Sequence, residues 1–220
     1  MFAFQLISTE IFALKKSDTC DAAHMLMEDF KVKHLPVVDS GALIGFVSEK
    51  ILLDNPDSKV ETVMQTNTEI YKINSGKHIF ECLQMLAEHH LSTLAVIDET
   101  KQYKGIINAA DIAVFFHKNT LLQQPGSIIV LQMPALNYSL AELSRIAESN
   151  NVKILASITS PVLNEQNHVY VSLKFNSTNL KFVRQSYERF GYQIVFANHT
   201  DEEDDLFNSR YNWLLKYINT

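Results

Sequence analysis

The sequence lacks the features that mark membrane, secreted and nucleic-acid-binding proteins. No apolar run approaches the ~20 residues of a membrane-spanning helix, and no basic segment followed by an apolar one resembles a secretory leader. The chain has 25 acidic and 19 basic residues among its 220, and no basic cluster suited to a nucleic acid. We therefore expect a cytoplasmic protein with no membrane or nucleic-acid partner.

The chain also lacks the groups that most enzymes need. No Gly-rich loop leads to a Lys, no zinc-ligand spacing occurs, and no nucleophile has a base at a recognisable spacing. The two cysteines, Cys20 and Cys82, occupy apolar positions of expected helices, which favours buried free thiols over a redox or metal role. We expect a non-enzymatic protein that requires no metal and no cofactor.

What the sequence does contain is a pattern that occurs twice. Each copy has a Thr-Glu-Ile-aromatic segment, a helical apolar stripe, a short apolar run ending in Asp, and a glycine followed by two apolar residues. The spacing between copies is constant up to the paired aspartates and then grows by one residue, within a turn. Because turns tolerate insertions and strands do not, this spacing indicates a duplicated supersecondary unit. The matching segments are 9–12 with 68–71, 35–39 with 94–98, and 45–48 with 105–108.

These segments resemble a tandem pair of cystathionine-β-synthase-type (CBS) domains, also called a Bateman module. The resemblance rests on the Leu-Pro-Val-Val-Asp run at 35–39, on the Gly-apolar-x-Ser turn at 45–48, and on their repetition. It implies an α/β (α+β) fold with each copy ordered strand, helix, strand, turn, strand, helix. The pair spans 1–119, with copy one at 1–57 and copy two at 58–119.

The resemblance also implies a ligand. CBS pairs bind adenosyl compounds such as AMP, ADP, ATP or S-adenosylmethionine in the cleft between copies, and the bound ligand regulates another activity. In the family pattern Gly-apolar-x-Ser/Thr-x-x-Asp, the hydroxyl meets a phosphate and the carboxylate binds the ribose diol. Copy one has Ser48 but Ile51 at the Asp position, whereas copy two has Asp111 but Asn108 at the hydroxyl position.

Each copy therefore keeps one of the two polar groups, and the copy-two cleft is the better candidate. By resemblance, the ligand-binding candidates are Asp111, Asn108, Thr68, Ile70, Thr93 and Ala95, with Ser48 and Lys50 in copy one.

A simpler structural interpretation competes for the same residues. Asn108 and Asp111 are three residues apart at a helix start and could form a capping-box-like pair, and Ser48 is a suitable N-cap. A carboxylate that caps its own helix has less to offer a diol, so the two roles of Asp111 partly exclude each other.

A different pattern follows the duplicated half. Residues 120–126 are expected to form a linker, and residues 127–198 predict the order βαββαβ of a ferredoxin-like unit. Order and length resemble an ACT domain, which implies an amino-acid site in the loop after its first strand, with Asn137 and Tyr138 as candidates. Since this loop has no glycine, the alternative role is sheet pairing into a homodimer.

The last segment, 199–220, predicts an acidic tail and an amphipathic C-terminal helix, because an acidic run precedes apolar residues at helical spacing. Such a helix would cover the protein itself, a second subunit or a partner.

Together these patterns predict a regulatory protein that senses an adenosyl ligand, while its ACT-like unit dimerises or binds a second small ligand. The alternatives are an interaction scaffold with vestigial clefts that docks an unidentified protein target, and an amino-acid sensor that uses the ACT-like unit.

Overall fold

The computed structural model describes residues 1–163 and 165–198. The chain forms two compact units, Met1–Lys118 and Asn119–Thr220, which we call the duplicated unit and the C-terminal unit. The helix predicted at 199–220 lies outside the described residues. Within the described part, none of the helices combines the length and the apolar character that a membrane crossing requires.

The duplicated unit alternates helices with short strands. Its elements in chain order are a 3-10 turn (Ala3–Leu6), α1 (Cys20–Phe30), β1 (His34–Asp39), β2 (Ala42–Ser48), α2 (Glu49–Leu53), α3 (Val60–Val63), a 3-10 turn (Glu69–Tyr71), β3 (Lys72–Asn74), α4 (Ile79–Glu88), β4 (Thr93–Ile97), β5 (Tyr103–Asn108) and α5 (Ala109–Asn119).

The two hairpins have matching registers, which confirms the duplication. β1 pairs antiparallel with β2, and β4 pairs antiparallel with β5. The register shifts after Val37 in copy one and after Val96 in copy two, which are equivalent positions of the repeat. Even the irregularity of the first hairpin is therefore repeated in the second.

The strand beside each hairpin differs between the copies. In copy two, β3 pairs in parallel with β4, whereas the strand expected near 9–12 in copy one is reduced to a single bridge at Leu14. The Leu14 N–H donates to the Pro36 carbonyl (2.9 Å). The next bond of this ladder would need an N–H on Pro36, which proline lacks. Ala95 stands at that position in copy two.

Each copy also contributes a short segment that pairs with the hairpin of the other copy. In both copies this segment lies before the first long helix of the copy. The Ser8 N–H donates to the Ile106 carbonyl (2.8 Å), and Gln65 and Phe46 exchange two backbone hydrogen bonds of 2.8 and 2.9 Å. We call these the exchanged segments, residues 7–8 and 64–65.

The repeated glycine gives the exchanged segments their space. A Cβ on Gly105 would overlap Ile7 Cγ2, and a Cβ on Gly45 would lie 2.7 Å from Met64 Sδ and 3.1 Å from the Gln65 carbonyl oxygen. A larger residue at either position would displace the incoming segment. Close backbone approach therefore explains why glycine occurs in both copies.

Both hydrophobic cores of the duplicated unit contain residues from both copies. The core around α1, β1 and β2 includes Ile106 of copy two. The core around α4, β4 and β5 includes Ala3 and Leu6 from the start of the chain. Neither core is completed by one copy alone, so the two copies form one folding unit.

The described residues of the C-terminal unit form a four-stranded sheet with two α-helices. Its strands lie in the order β7-β8-β6-β9, and all neighbours are antiparallel. This is the predicted ferredoxin-like order. The elements in chain order are a 3-10 turn (Leu121–Gln123), β6 (Ile128–Pro134), a 3-10 turn (Ala135–Asn137), α6 (Leu140–Ser149), β7 (Ile154–Pro161), β8 (His168–Phe175), α7 (Lys181–Arg189) and β9 (Gln193–Ala197).

Local signals place the two helices of this unit. Ser139 caps α6, because its Oγ accepts the Glu142 N–H (3.3 Å). Gly191, with φ of 82°, follows α7 and lets the chain turn into β9. The fully buried Tyr187 donates its hydroxyl to the Leu143 carbonyl (2.9 Å), which joins α7 to α6 inside the core.

Candidate functional site

The start of helix α5 carries the two polar candidates of copy two. Asn108 ends β5, and its Oδ1 accepts a hydrogen bond from the Ala110 N–H (3.1 Å). The N–H of Ala109, the first helical residue, donates to the Ser92 carbonyl (3.0 Å). The Asn108 side chain thus covers the helix start, as the structural interpretation of the sequence predicts.

Asp111 takes no part in this capping. Its half-buried side chain lies in the first turn of α5, and it has no hydrogen bond or ion pair to any residue that the structure describes. The capping-box-like pair is therefore only half formed. The helix dipole favours a carboxylate at this position, and both oxygens remain available to a ligand.

The other copy-two candidates lie on strand β4 or at the turn that contacts it. Thr93 and Ala95 lie on β4 and are fully buried, so their side chains have no surface open to a ligand in this structure. Thr68 and Ile70 lie at the 3-10 turn before β3, which contacts β4. Thr68 is half-buried and Ile70 is 38% exposed. Among the copy-two candidates, the accessible groups are therefore Asp111, Asn108 and this turn.

Copy one presents a complementary but incomplete set. Ser48 is the N-cap residue of α2, yet its hydroxyl makes no capping hydrogen bond. Lys50 is exposed on the same short helix, and the half-buried Ile51 occupies the position equivalent to Asp111. Copy one thus offers a hydroxyl and a cation, but no carboxylate at the position equivalent to Asp111.

The two hairpins meet at His34 and Thr93. The Thr93 Oγ1 donates to the His34 carbonyl (2.7 Å), and the Ser92 N–H donates to His34 Nδ1 (3.3 Å). Ser48 pairs with His34, and Asn108 pairs with Thr93. The structure therefore aligns the candidates of both copies across one junction, with Ser48 and Asn108 as its outer members.

An aromatic group packs against this junction, and no sequence pattern indicated it. Phe46 stacks on Tyr71, with ring centroids 4.4 Å apart and planes 12° apart. The His34 ring lies 6.4 Å from the first and 6.3 Å from the second. Burial lowers the pKa of His34, while Glu49 opposes this shift and Lys33 adds to it. Neutral His34 is the form that accepts the Ser92 N–H.

The C-terminal unit contains a cavity of about 460 Å³ at one end of its sheet. Of the two predicted residues there, Asn137 lines the cavity, whereas Tyr138 packs against the core. The other polar residues in the lining are Gln132, Glu142, His168, Tyr192 and Gln193.

The cavity lining mixes hydrogen-bond donors with acceptors. Burial raises the pKa of Tyr192 to about 12, and its hydrogen bond to Glu142 adds to the shift. The phenol therefore keeps its proton at neutral pH and is the donor in this hydrogen bond. Gln132 Nε2 donates to Glu165 Oε2 (2.8 Å) at the edge of the cavity.

The residues that the structure describes contain no group of three or more His, Cys, Asp or Glu side chains placed to hold a metal ion. Cys20 and Cys82 are free and buried. Burial raises the pKa of both thiols, that of Cys82 to about 11, so both are protonated at neutral pH.

The fold of the duplicated unit agrees with a family match. The model of the CBS domain matches residues 3–57 and 60–118, just over half of the chain. The protein therefore belongs to the CBS-domain family and contains two tandem copies of that domain.

Similar curated proteins match the same half. The chain is 26% identical over 106 residues to the uncharacterized protein MJ1232 of Methanocaldococcus jannaschii, across 47% of this chain and 35% of the relative. It is 23% identical over 113 residues to the CBS domain-containing protein YhcV of Bacillus subtilis, across 49% of this chain and 80% of the relative. An inosine-5'-monophosphate dehydrogenase of Halalkalibacterium halodurans is 26% identical over 129 residues, across 57% of this chain and 26% of the enzyme. The first and last relatives are thus covered over less than half of their length.

Solved structures with a similar fold include a CBS domain pair/ACT domain protein from Thermotoga maritima, at 22% identity and a TM-score of 0.46, across 52% of this chain and 94% of that one. CBSX2 in complex with AMP matches at 20% identity and a TM-score of 0.44, across 51% and 93% of the two chains. The cytosolic domain of the Mg2+ channel MgtE in complex with ATP matches at 21% identity and a TM-score of 0.42, across 50% and 46%. These likenesses assign no ligand to this chain.

Proposed function

We propose that this protein is a non-enzymatic regulator that senses an adenine nucleotide or a related adenosyl compound at the start of helix α5. The observation that carries the proposal is the Asp111 carboxylate, which is half-buried and has no partner among the described residues. A half-buried carboxylate without a partner has lost hydration that nothing in the protein replaces. A ligand with two adjacent hydroxyls, such as a ribose, would supply the missing donors.

The neighbouring groups support a nucleoside. Ile70 is partly exposed beside β4 and offers an apolar surface for a base. Because the Asn108 side chain already caps the helix, the Asp111 carboxylate is not needed as a cap and can bind a ligand. AMP and ATP are the ligands named for two of the similar structures, so they are the compounds to test first, together with ADP, adenosine and S-adenosylmethionine.

Isothermal titration and thermal unfolding of the full chain test this proposal. A ligand at 100 times its dissociation constant adds ~2.7 kcal/mol of stability, which is a clear shift of the unfolding midpoint. Asp111→Asn removes the charge with little change in shape. Losing one charged acceptor costs on the order of 1.5–3 kcal/mol, so affinity should fall about ten- to a hundredfold.

The matched control is Asp21→Asn, because Asp21 is an exposed acid in the first turn of α1 and should leave affinity unchanged. Equal loss of affinity in both variants would refute a specific role for Asp111. If no adenosyl compound shifts the midpoint of the wild-type chain at millimolar concentration, the sensor proposal fails. The interaction scaffold with vestigial clefts would then be the better explanation.

Binding would act by population shift. The two copies share their cores and exchanged segments, so a ligand that prefers one arrangement of the copies changes the population of that arrangement. A downstream target protein would read this change. We further propose that the chain forms a homodimer, which light scattering of the full chain tests directly.

The cavity of the C-terminal unit favours a second candidate function. Its volume of about 460 Å³ is within the usual range for small-molecule sites, and Asn137 lies where the ACT resemblance implies an amino-acid ligand. We propose that this cavity binds a small polar molecule, with amino acids as the first compounds to test. Asn137→Ala should weaken such binding, whereas Leu136→Ala should not, since Leu136 is 97% exposed and outside the lining. If no amino acid binds to the wild-type chain, this candidate fails.

A further inference from the structure

A continuous series of hydrogen bonds joins the starts of helices α2 and α5. The Ala109 N–H, at the start of α5, donates to the Ser92 carbonyl (3.0 Å). The Ser92 hydroxyl accepts the Lys33 N–H (2.8 Å). The Lys33 carbonyl in turn accepts the Glu49 N–H (2.9 Å), at the start of α2. The series therefore runs from the helix of Asp111 to the helix that follows Ser48.

Ser92 contributes the side chain that crosses between the copies in this series. Lys33 and Ser92 occupy equivalent positions of the two copies, directly before His34 and Thr93. Each helix start is tied to the residue at this position in its own copy, and the Ser92 Oγ then ties the two positions to each other. Lys33 offers no matching hydroxyl, so this series of hydrogen bonds crosses between the copies at one atom, the Ser92 Oγ.

Two further contacts hold Ser92 in place. The Ser92 N–H donates to His34 Nδ1 (3.3 Å), and the Ser92 Oγ lies 3.4 Å from the same nitrogen. The Ser92 residue is half-buried, and the stacked pair of Phe46 and Tyr71 lies beside the His34 ring. The hydroxyl is thus positioned by its surroundings.

We infer that Ser92 is a positioning residue that couples the start of α5 to the start of α2, so that order at one helix start is transmitted to the other. The inference rests on the proposed function in one respect, because Asp111 lies on α5 and a ligand there would act through this link. The link itself is a property of the ligand-free chain. The inference is thus that a contact between the copies, at Ser92, regulates the Asp111 site.

Amide hydrogen exchange, followed by NMR on the full chain, tests the coupling without ligand. Ser92→Ala should raise exchange at Lys33, which loses its acceptor, by about three- to tenfold, the equivalent of one neutral hydrogen bond. The decisive readout is Glu49, which bonds to Lys33 and not to Ser92. A purely local role of Ser92 would leave Glu49 unchanged, whereas coupling raises its exchange as well.

Two variants complete the design. Ser92→Thr keeps the hydroxyl and should restore slow exchange at Lys33 and Glu49. Ser17→Ala removes an exposed serine of the same unit and should change neither amide. Unchanged exchange at Glu49 in Ser92→Ala, or a Thr variant that behaves like the Ala variant, would overturn the inference.

AMP, added to the same samples, separates this inference from the proposed function. In the wild-type chain, AMP should slow exchange at both Ala109 and Glu49, and in Ser92→Ala at Ala109 alone. Slowing at Glu49 in both proteins would overturn the coupling and leave the sensor intact. If neither AMP nor any of the other adenosyl compounds binds, the sensor proposal fails, and the ligand-free exchange at Glu49 still decides the coupling.

Discussion

The two CBS copies share the hairpin but differ in their polar groups, and the comparison shows which parts of the repeat are structural. Both copies keep the hairpin, its irregularity and the glycine that admits the exchanged segment. The paired aspartates are also structural, since Asp39 bonds Lys16 (2.9 Å) and Asp98 bonds Lys104 (2.8 Å). The copies diverge at the helix starts: copy one has Ser48 and Ile51 at the positions where copy two has Asn108 and Asp111. The nucleotide site that we propose at Asp111 would therefore lie in copy two, beside a hairpin that both copies share.

The largest expected effect tests whether the two cores are equivalent. Leu35 and Leu94 occupy matching positions and are both fully buried. Leu35→Ala and Leu94→Ala should each lower the free energy of unfolding by about 2–5 kcal/mol, because each leaves a cavity in a packed core. Chemical denaturation measures both values, and Leu136→Ala, at an exposed position, serves as the control. A marked difference between the two core variants would mean that one copy carries most of the stability.

The exchanged segments should respond unequally to a methyl group. Gly105→Ala should cost about 1–3 kcal/mol, since the new Cβ would overlap the branched side chain of Ile7. Gly45→Ala should cost less, because its nearest neighbour is the flexible side chain of Met64. Denaturant midpoints of the two variants make the comparison. A larger loss at Gly45 would show that the backbone of Gln65 resists displacement more than Ile7 does.

Adding the missing carboxylate to copy one should make the copies functionally alike. Ile51→Asp places an acid three residues after Ser48 and should double the number of adenosine molecules bound per chain. Applied to the Asp111→Asn protein, it should recover about tenfold in affinity, or ~1.4 kcal/mol. Ile51→Asn is the uncharged control and should recover little. Titration calorimetry gives both numbers, and unchanged stoichiometry in Ile51→Asp would show that copy one lacks more than the carboxylate.

The smallest expected effect concerns the pH dependence of stability. It arises at His34, whose equivalent in copy two, Thr93, does not titrate. Burial lowers the pKa of His34, so the folded chain takes up this proton less readily than the unfolded chain. Below about pH 6.5 the unfolded state binds more protons, and stability falls as the pH drops. His34→Gln should flatten this part of the profile, as followed by thermal unfolding between about pH 8 and pH 5. An equally steep profile in the variant would assign the effect to other groups.

Local patterns in the sequence predicted much of the fold. The repeat, both hairpins and the ferredoxin-like strand order were all expected. These features depend on neighbours in the chain, or on alternation and spacing that a single sequence displays. The short strand of copy one was the exception, because Pro36 withholds the donor that its copy-two equivalent, Ala95, possesses.

The site was less predictable, since its contacts join residues far apart in the chain. The motif named Asp111 and Ser48, but no spacing indicates that Ser92 bonds Lys33 or that Phe46 stacks on Tyr71. The buried state of Thr93 and Ala95 follows from the meeting of the two hairpins, which depends on both copies at once. The cavity around Asn137 likewise needs the ends of several elements to converge.

The exchanged segments have a consequence for modularity. If a single copy were moved into another protein, its hairpin would lose the exchanged segment that the other copy supplies. The edge of that hairpin would then be open and could pair with other chains. The pair is therefore the smallest piece that evolution or engineering can transplant intact.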